Sequence, residues 1–323
     1  MALNLLRRYL QVYWLKPFDA VNDAANAWAL RQFPWREPVL EVGAGDGVFS
    51  FIMHDGEFIF TDDRYDQSDP RRAGDIFDVY QPGNALTIKR HASRLYEAGI
   101  DLKWSHVLKC RETKMYRFLA ISSPEPLPFA SESFRTVFLY FPHGLVEAGK
   151  VLDYERALKE IRRVIQRDGV LLMTAVNRKI SDCFVCHPFH RYLQRRGIGW
   201  LSEYFKGLDG GRYNEITRLS RTPEEWAKLL QATGFRLLDT WTQVTPLAWR
   251  IYDFQTRPIL KSLIRWSGFL KKLHLKGPAK AAWVCAWLPI LAVFYLTFAR
   301  PRRFSPGSED EAGVFLAFRA VRI

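Results

Sequence analysis

The chain has 323 residues, 48% hydrophobic and 25% charged, which is ordinary for a folded protein able to bury one large core or two small ones. No internal repeat or low-complexity tract interrupts it, so solenoid and disordered architectures are set aside. A net charge of +13 leaves three classes of partner: nucleic acid, an anionic membrane, or an acidic substrate.

Leu3, Leu6, Leu10, Tyr13 and Trp14 recur at helical spacing, so the N-terminus reads as an amphipathic helix ending before Pro17. A second helix over residues 18–33 stops at Pro34. Two roles fit this pair: a cover on the core, or an interfacial element with Arg7, Arg8 and Lys16 at lipid headgroups. Arg7 and Arg8 interrupt any export-type apolar core, and no small-residue cleavage site follows, so no secretory signal is expected.

The stretch "EPVLEVGAGDGVFSF" holds a buried strand (Val39, Leu40, Val42), then a turn with Gly43, Gly45 and Gly47, then a helix. Residues 58–61 read as a second strand ending in Asp62 and Asp63. Residues 64–116 read as two helices broken at Gly83 and Gly99. Strands at 117–121 and 136–140, a helix at 154–165 and a strand at 170–176 follow. Strand and helix in alternation predict an α/β fold with a doubly wound, Rossmann-like parallel sheet. In "TPEEWAKLLQATGF", Thr222 caps a helix, Pro223 takes its first position, Glu225 completes a capping box and Gly234 ends it. Strands at 235–244 and 313–322 close the pattern.

The turn after a first parallel strand lies where such sheets bind ligands, and its glycines let a ligand approach the backbone. Dinucleotide sites want G-x-G-x-x-G, but Val48 stands where the last glycine belongs, which argues against a nicotinamide or flavin cofactor. A carboxylate at the end of the second strand, Asp62 or Asp63, can accept the ribose hydroxyls of an adenosine.

Together with "PEPLPFASESFRTVFLYF" and "ALKEIRRVIQRDGVLLMTAVN", these features resemble the class I S-adenosylmethionine-dependent methyltransferases over residues 37–245. The resemblance implies a seven-stranded sheet, mostly parallel with the last strand antiparallel, and S-adenosylmethionine as cofactor. It implies that Glu41, Gly43, Ala44, Gly45 and Gly47 hold the methionine part and that Asp62 takes the ribose, with Asp63 in reserve. Ser122 and Ser123 stand where the family carries an acid for the adenine amino group; a hydroxyl can accept the same hydrogen bond. Arg135 and the run Arg167–Asp168–Gly169 depart from the family's SFD and P-G-G patterns.

Methyl transfer rests largely on in-line positioning, with a general base where the acceptor is a hydroxyl. His187, His190 and His143 are the candidate bases, with Tyr213 behind them; each is equally readable as a structural or substrate-contact residue. "CFVCH", Cys183–His187, matches the covalent haem motif, which needs export, and with His190 it could form a crowded zinc site. A loop lining the acceptor pocket is the reading adopted, with no metal. The four cysteines show no disulfide framework, so reduced cytoplasmic thiols are expected.

Residues 281–299 carry no charge, and the stretch between Asp253 and Glu309 carries no acid. Arg257, Lys261, Arg265, Lys271, Lys272, Lys276, Lys280, Arg300, Arg302 and Arg303 form a basic collar around the apolar run, which suits anionic lipid. Lying between two neighbouring strands, this insertion must leave and return on one face of a membrane. With Pro289 mid-run, an in-plane or re-entrant element is expected rather than a span, with Ile259, Leu263, Trp266 and Leu270 forming the stripe of a partner helix. A buried helix or dimer surface is the plainer alternative. The expected organisation is therefore an N-terminal helical segment (1–35), a methyltransferase domain (36–249 plus 309–323) and a membrane-associating insertion (250–308).

The resulting expectation is a methyltransferase on the cytoplasmic side of a membrane, acting on an amphipathic or lipid-linked acceptor such as a quinone, glycolipid or lipid-linked sugar. Two alternatives stay open: an RNA methyltransferase using Lys89, Arg90, Lys103, Lys109, Arg111 and Lys114, and a non-catalytic scaffold with a vestigial pocket.

Overall fold

A computed structural model describes residues 2–72, 75–140, 153–209, 211–254, 259–304 and 313–323. His143 and Arg257 lie outside the described residues. Helices α1 (Ala2–Val12) and α2 (Pro17–Leu30) come first, followed by β1 (Val39–Val42) and α3 (Val48–Met53). The short strands β2 (Glu57–Phe58) and β3 (Ile88–Arg90) pair only with each other, antiparallel. Next come β4 (Tyr96–Asp101), α4 (Trp104–Glu112), β5 (Tyr116–Ile121), β6 (Phe134–Leu139), α5 (Tyr154–Val164) and β7 (Ile165–Val176). Helices α6 (Cys186–Arg195), α7 (Gly199–Asp209), α8 (Arg212–Leu219) and α9 (Pro223–Ala232) lead to β8 (Phe235–Gln243). Finally α10 (Pro246–Phe254), α11 (Leu260–Lys272), α12 (Lys276–Phe294) and β9 (Arg302–Phe304) precede β10 (Phe315–Arg322).

Eight strands form one sheet in the order β5-β4-β1-β6-β7-β10-β8-β9. The neighbours from β5 to β7 are parallel, and β10 runs antiparallel between β7 and β8. The Rossmann-like sheet expected from the alternation is present, with β9 added as an eighth edge strand. Its centre is buried on both faces: on one, Leu40 lies beside Ala98 and Val137 and Val42 beside Ile100 and Leu139, and the other carries Val39 and the buried Glu41. Thr222 and Glu225 exchange the two hydrogen bonds of the capping box, as their spacing predicts.

The strand beside β1 is not the one read from the sequence. Residues 58–61 add only a two-residue hairpin strand, and the sheet position belongs to β4, inside a stretch read as helical. Gly99, taken as a helix break, sits mid-strand beneath the ring of Tyr116; a Cβ there would meet that ring at 2.7 Å. Residues 54–95 are thus a long excursion between α3 and β4.

The N-terminal pair covers the sheet. Leu5, Leu6, Tyr9, Leu10 and Trp14 are buried, and Arg8 is held by Asp55 at 2.9 Å, which favours the covering role over an interfacial one. Helix α12 packs along this cover: Trp14 meets Trp283, and Phe18 meets Trp287 and Phe294. It runs on through Pro289 and finishes in a π-helical turn, Tyr295–Ala299.

Both ends of α12 are fixed to the body. Lys276 Nζ lies 3.0 Å from Asp63 and 2.6 Å from Asp66, and Lys280 Nζ lies 3.6 Å from Asp63. At the far end Tyr295 and Ala299 are buried, and Thr245 N–H donates to the Phe298 carbonyl. The Lys276–Ala299 helix is long and apolar enough to cross a bilayer, yet only 17% of its most apolar window is buried in the protein. It lies along the domain with Ile290, Val293 and Leu296 exposed. On α11 the buried face centres on Ile264 and Ser267, whereas Trp266, from the expected stripe, keeps 41% exposure beside Phe269.

Candidate functional site

In an open α/β sheet the strand order reverses on either side of the first strand, and the crevice opens above that point. Here the reversal lies between β1 and β6. A cavity of about 210 Å³ sits there, lined by Gly43, Ala44, Gly45 and Asp46 of the turn after β1, and by Tyr140 just past β6. Its roof is α2, with Asp19, Asn22, Asp23 and Asn26, and α10 adds Trp249 and Tyr252. The excursion contributes Arg64 and Asp75, and the start of α4 contributes Lys103 and His106.

The turn has the backbone its glycines imply. Gly45 sits at φ +57° with nothing within 4 Å of where a Cβ would stand, so its surface is open to a ligand. Gly47, at φ +75°, starts α3, and a Cβ would meet Cys110 Sγ and Thr113 Cγ2 at 3.0 Å.

Asp101 ends β4 beside this turn. Its Oδ2 accepts the Gly45 N–H at 2.9 Å and its Oδ1 accepts the Lys103 N–H at 2.9 Å. This is the strand-end carboxylate that the sequence reading placed at Asp62 and Asp63. Those two lie in the excursion instead. Asp62 accepts the Thr87 N–H, and Asp63 is fully buried, accepting from Trp14 Nε1 at 2.6 Å and facing Lys276 and Lys280. The signal for Asp101 was present in "GIDLKWSHVLKC", an acid closing a strand just before a helix, but the helical reading of 64–116 hid it.

Glu41 does not line the cavity. It is buried behind the turn, accepting from Ser50 Oγ at 2.7 Å and Tyr116 Oη at 2.6 Å, and burial pushes its carboxyl up to about 8. Ser122 and Ser123 follow β5; the Ser122 N–H donates to the Asp101 carbonyl, which places the pair at the same sheet edge but outside the cavity lining.

The expected bases are elsewhere. His187 stacks on Tyr213 at 3.8 Å, and His190 Nδ1 lies 2.8 Å from Ser202 Oγ, both in the α6–α8 layer, and neither lines the cavity. Nor does the Cys183–His187 loop line it. Cys183 donates to the Lys179 carbonyl, and Phe184 packs behind the cavity residue Trp249. Among the described residues no three His, Cys, Asp or Glu side chains converge as metal ligands.

Four carboxylates face the cavity, and three have cations. Lys16 meets Asp19 at 2.7 Å, Arg64 meets Asp46 at 2.9 Å and Lys103 meets Asp75 at 3.1 Å. Burial is the largest single influence and works against ionisation of Asp46, but Arg64, Lys109, His106 and the Val48 N–H together outweigh it and hold that carboxyl below its ordinary value. Asp23 has phenols instead: Tyr140 Oη donates to its Oδ1 at 2.9 Å, and the nearby Tyr13 phenol favours its ionised form. Burial pushes Asp23 up to about 7.

Four buried polar atoms on cavity residues lack a hydrogen-bond partner among the described residues: Asp19 Oδ1, Arg64 Nε, His106 Nδ1 and Trp249 Nε1. His106 Nδ1 stands 3.3 Å from Asp101 Oδ1, in a geometry that makes no hydrogen bond. Buried orphan groups clustered at one cavity fit a polar ligand.

No protein-family model matches the chain, and no curated protein matches it in sequence. Solved structures do. A SAM-dependent methyltransferase of Thermotoga maritima, described as a possible histamine N-methyltransferase, is 13% identical with a TM-score of 0.48, covering 100% of each chain. A SAM-dependent methyltransferase of Thiobacillus denitrificans, solved with S-adenosyl-L-homocysteine, is 12% identical with a TM-score of 0.41, over 94% of this chain and 91% of that one. A putative methyltransferase complexed with the Haloferax volcanii activator Trm112 is 14% identical with a TM-score of 0.42, over 96% and 94%. All three scores fall below 0.5.

Proposed function

We propose that the chain is an S-adenosylmethionine-dependent methyltransferase acting at a membrane surface on an amphipathic or lipid-linked acceptor. The observation that carries the reading is the cavity at the switch point, floored by the left-handed glycine turn and lined by four carboxylates. Carboxylates and cations alternate around the crevice, which suits a zwitterionic amino-acid end, and the orphan polar atoms leave a ligand hydrogen-bonding groups to meet. When bound, that cofactor supplies an already activated methyl group. The turn from Gly43 to Gly47 would hold its methionine end, and Asp101, buried behind Gly45 outside the cavity lining, is the strand-end carboxylate placed to meet its ribose hydroxyls. Ser122 and Ser123 remain candidates for the adenine edge.

Support for the membrane is of a different kind. Helix α10 gives Trp249 and Tyr252 to the cavity while exposing Leu247, Ile251 and Phe254. Helices α11 and α12 expose Trp266, Phe269, Leu273, Ile290, Val293 and Leu296, with Lys261, Arg265, Lys272, Arg300, Arg302 and Arg303 exposed in the same insertion. Apolar and aromatic side chains beside exposed basic ones suit an anionic bilayer surface, with α12 lying flat. Its two anchored ends are incompatible with a crossing unless the helix is stripped from α1 and α2. Four free thiols suit the cytoplasmic side.

Four of the six basic residues of the RNA alternative are engaged by acids or carbonyls, while Arg111 and Lys114 stay exposed. Lys103 pairs with Asp75, Lys89 and Arg90 pair with Glu57, and Lys109 donates to the Gln67 and Phe77 carbonyls. The test is transfer of label from methyl-tritiated S-adenosylmethionine to lipids extracted from membranes. Label entering the organic phase, lost with Gly45→Arg, supports the proposal; label entering RNA alone overturns it.

A further inference from the structure

Asp23 is set apart from the other cavity acids by its partners. Asp19, Asp46 and Asp75 each face a lysine or arginine within 3.1 Å; among the described residues Asp23 has no cation within ion-pair distance. The Tyr140 phenol, from the end of β6, fixes its orientation instead, and the Tyr13 phenol, from the turn after α1, favours its ionised form. Tyr140 is itself held by stacking on Phe49 at 3.9 Å, on the helix that follows the glycine turn. A carboxylate aimed into the crevice, oriented by neighbours and left without a counter-charge, has the arrangement of a general base.

We propose that Asp23 is the catalytic base of the methyl transfer and that the acceptor is therefore a hydroxyl of phenol or enol type. This deepens the methyltransferase reading and rests on it. The acceptor oxygen forms the bond to the methyl carbon while the carbon–sulfur bond breaks. The electron pair of that bond stays on sulfur, which becomes a neutral thioether, and the hydroxyl proton passes to Asp23. A primary amine would need no such base once it reached the cavity uncharged.

The groups around Asp23 set its titration. Asp19, one helical turn before it, opposes its ionisation, while Tyr13, Tyr140 and Arg64 favour it. Tyr252 from α10 closes the cavity beneath the Lys16 ammonium, which lies 5.4 Å from that ring. With burial dominant, the carboxyl sits at about 7, so the base form grows in through neutral pH.

The probes are 4-octylphenol and 4-octylaniline, in mixed micelles with the full-length chain and labelled S-adenosylmethionine. The phenol is expected to be methylated on oxygen, with kcat rising with pH through about 7. Asp23→Asn is expected to cut that kcat by roughly 10²-fold or more, to abolish the rise, and to leave the S-adenosylmethionine Kd within about threefold. Tyr140→Phe removes a hydrogen bond to the carboxylate, so its profile moves to higher pH at near-normal affinity. That displacement is a readout a purely structural role would not give. An Asp23→Asn enzyme with unchanged kcat overturns the proposal. So does one whose only defect is weakened cofactor binding, or a wild type that binds cofactor yet methylates the aniline alone or neither probe. A wild type that binds no S-adenosylmethionine fails at the earlier step and removes the methyltransferase reading itself.

Discussion

Removing the Asp63 charge is the sharpest structural perturbation available. Asp63 and Lys280 are both fully buried, and Lys276 is 7% exposed. Asp63→Asn keeps the shape and deletes the anion. Lys276 retains Asp66 at 2.6 Å, but Lys280 is left with the Asp62 carbonyl at 2.8 Å and the Phe60 ring at 5.1 Å. Burial already drags the Lys280 ammonium down to about 8 with Asp63 in place. Breaking a buried pair costs about 3–5 kcal/mol, because the stranded charge cannot be rehydrated, and the partial rescue by neutralising Lys280 puts the expected loss near about 3 kcal/mol. Lys280→Met fills similar volume without charge, so the double variant should recover much of the loss, giving a coupling energy of about 2 kcal/mol. Urea unfolding in mild detergent, followed by tryptophan fluorescence, measures all four corners of the cycle. Single losses below about 1 kcal/mol, or strict additivity, would refute the view that this cluster pins α12 to the body.

Glu41→Gln tests the buried acid behind the turn. The Glu41 carboxyl is raised to about 8, so its stabilising contribution is complete below about 4.5 and is lost as pH rises towards 8. Wild type should therefore lose stability relative to the variant between pH 5 and 8, on the order of 3 kcal/mol in all; a pH-independent difference in chemical unfolding would contradict it. Val293→Asp tests the flat helix. At 67% exposure the change should leave stability within about 0.5 kcal/mol, yet weaken co-sedimentation with phosphatidylglycerol vesicles at least tenfold; undiminished vesicle binding would rule this face out.

What was legible in the sequence was what is local. The first strand, its glycine turn, the capping box and strands β5, β6, β7, β8 and β10 announce themselves by period and by punctuation within about ten residues, whereas β9 lay unread inside the insertion. Strand β4 did not, because Gly99 looks like a break until Tyr116 is seen lying across it. Asp62 and Asp63 follow a short apolar run that imitates a strand end, and only the pairing of β1 with β4 exposes Asp101 instead. Lys276 and Lys280 count as part of a basic collar until the distant acids Asp63 and Asp66 are found against them. Asp23 had a faint signal: with Asp19 it forms an i, i+4 acidic pair in an otherwise uncharged helix, flanked by Asn22 and Asn26. Which face that helix turns to the glycine loop is a tertiary fact.

The central claim is that the cavity above the glycine turn holds S-adenosylmethionine, and calorimetry on the full chain in detergent tests it most directly. The account predicts micromolar binding by the wild type and none by a Gly45→Arg variant that still melts cooperatively, since the new side chain would stand in the open crevice on a backbone at φ +57°. A folded wild type with no affinity, or a variant that binds as well as wild type, would contradict it.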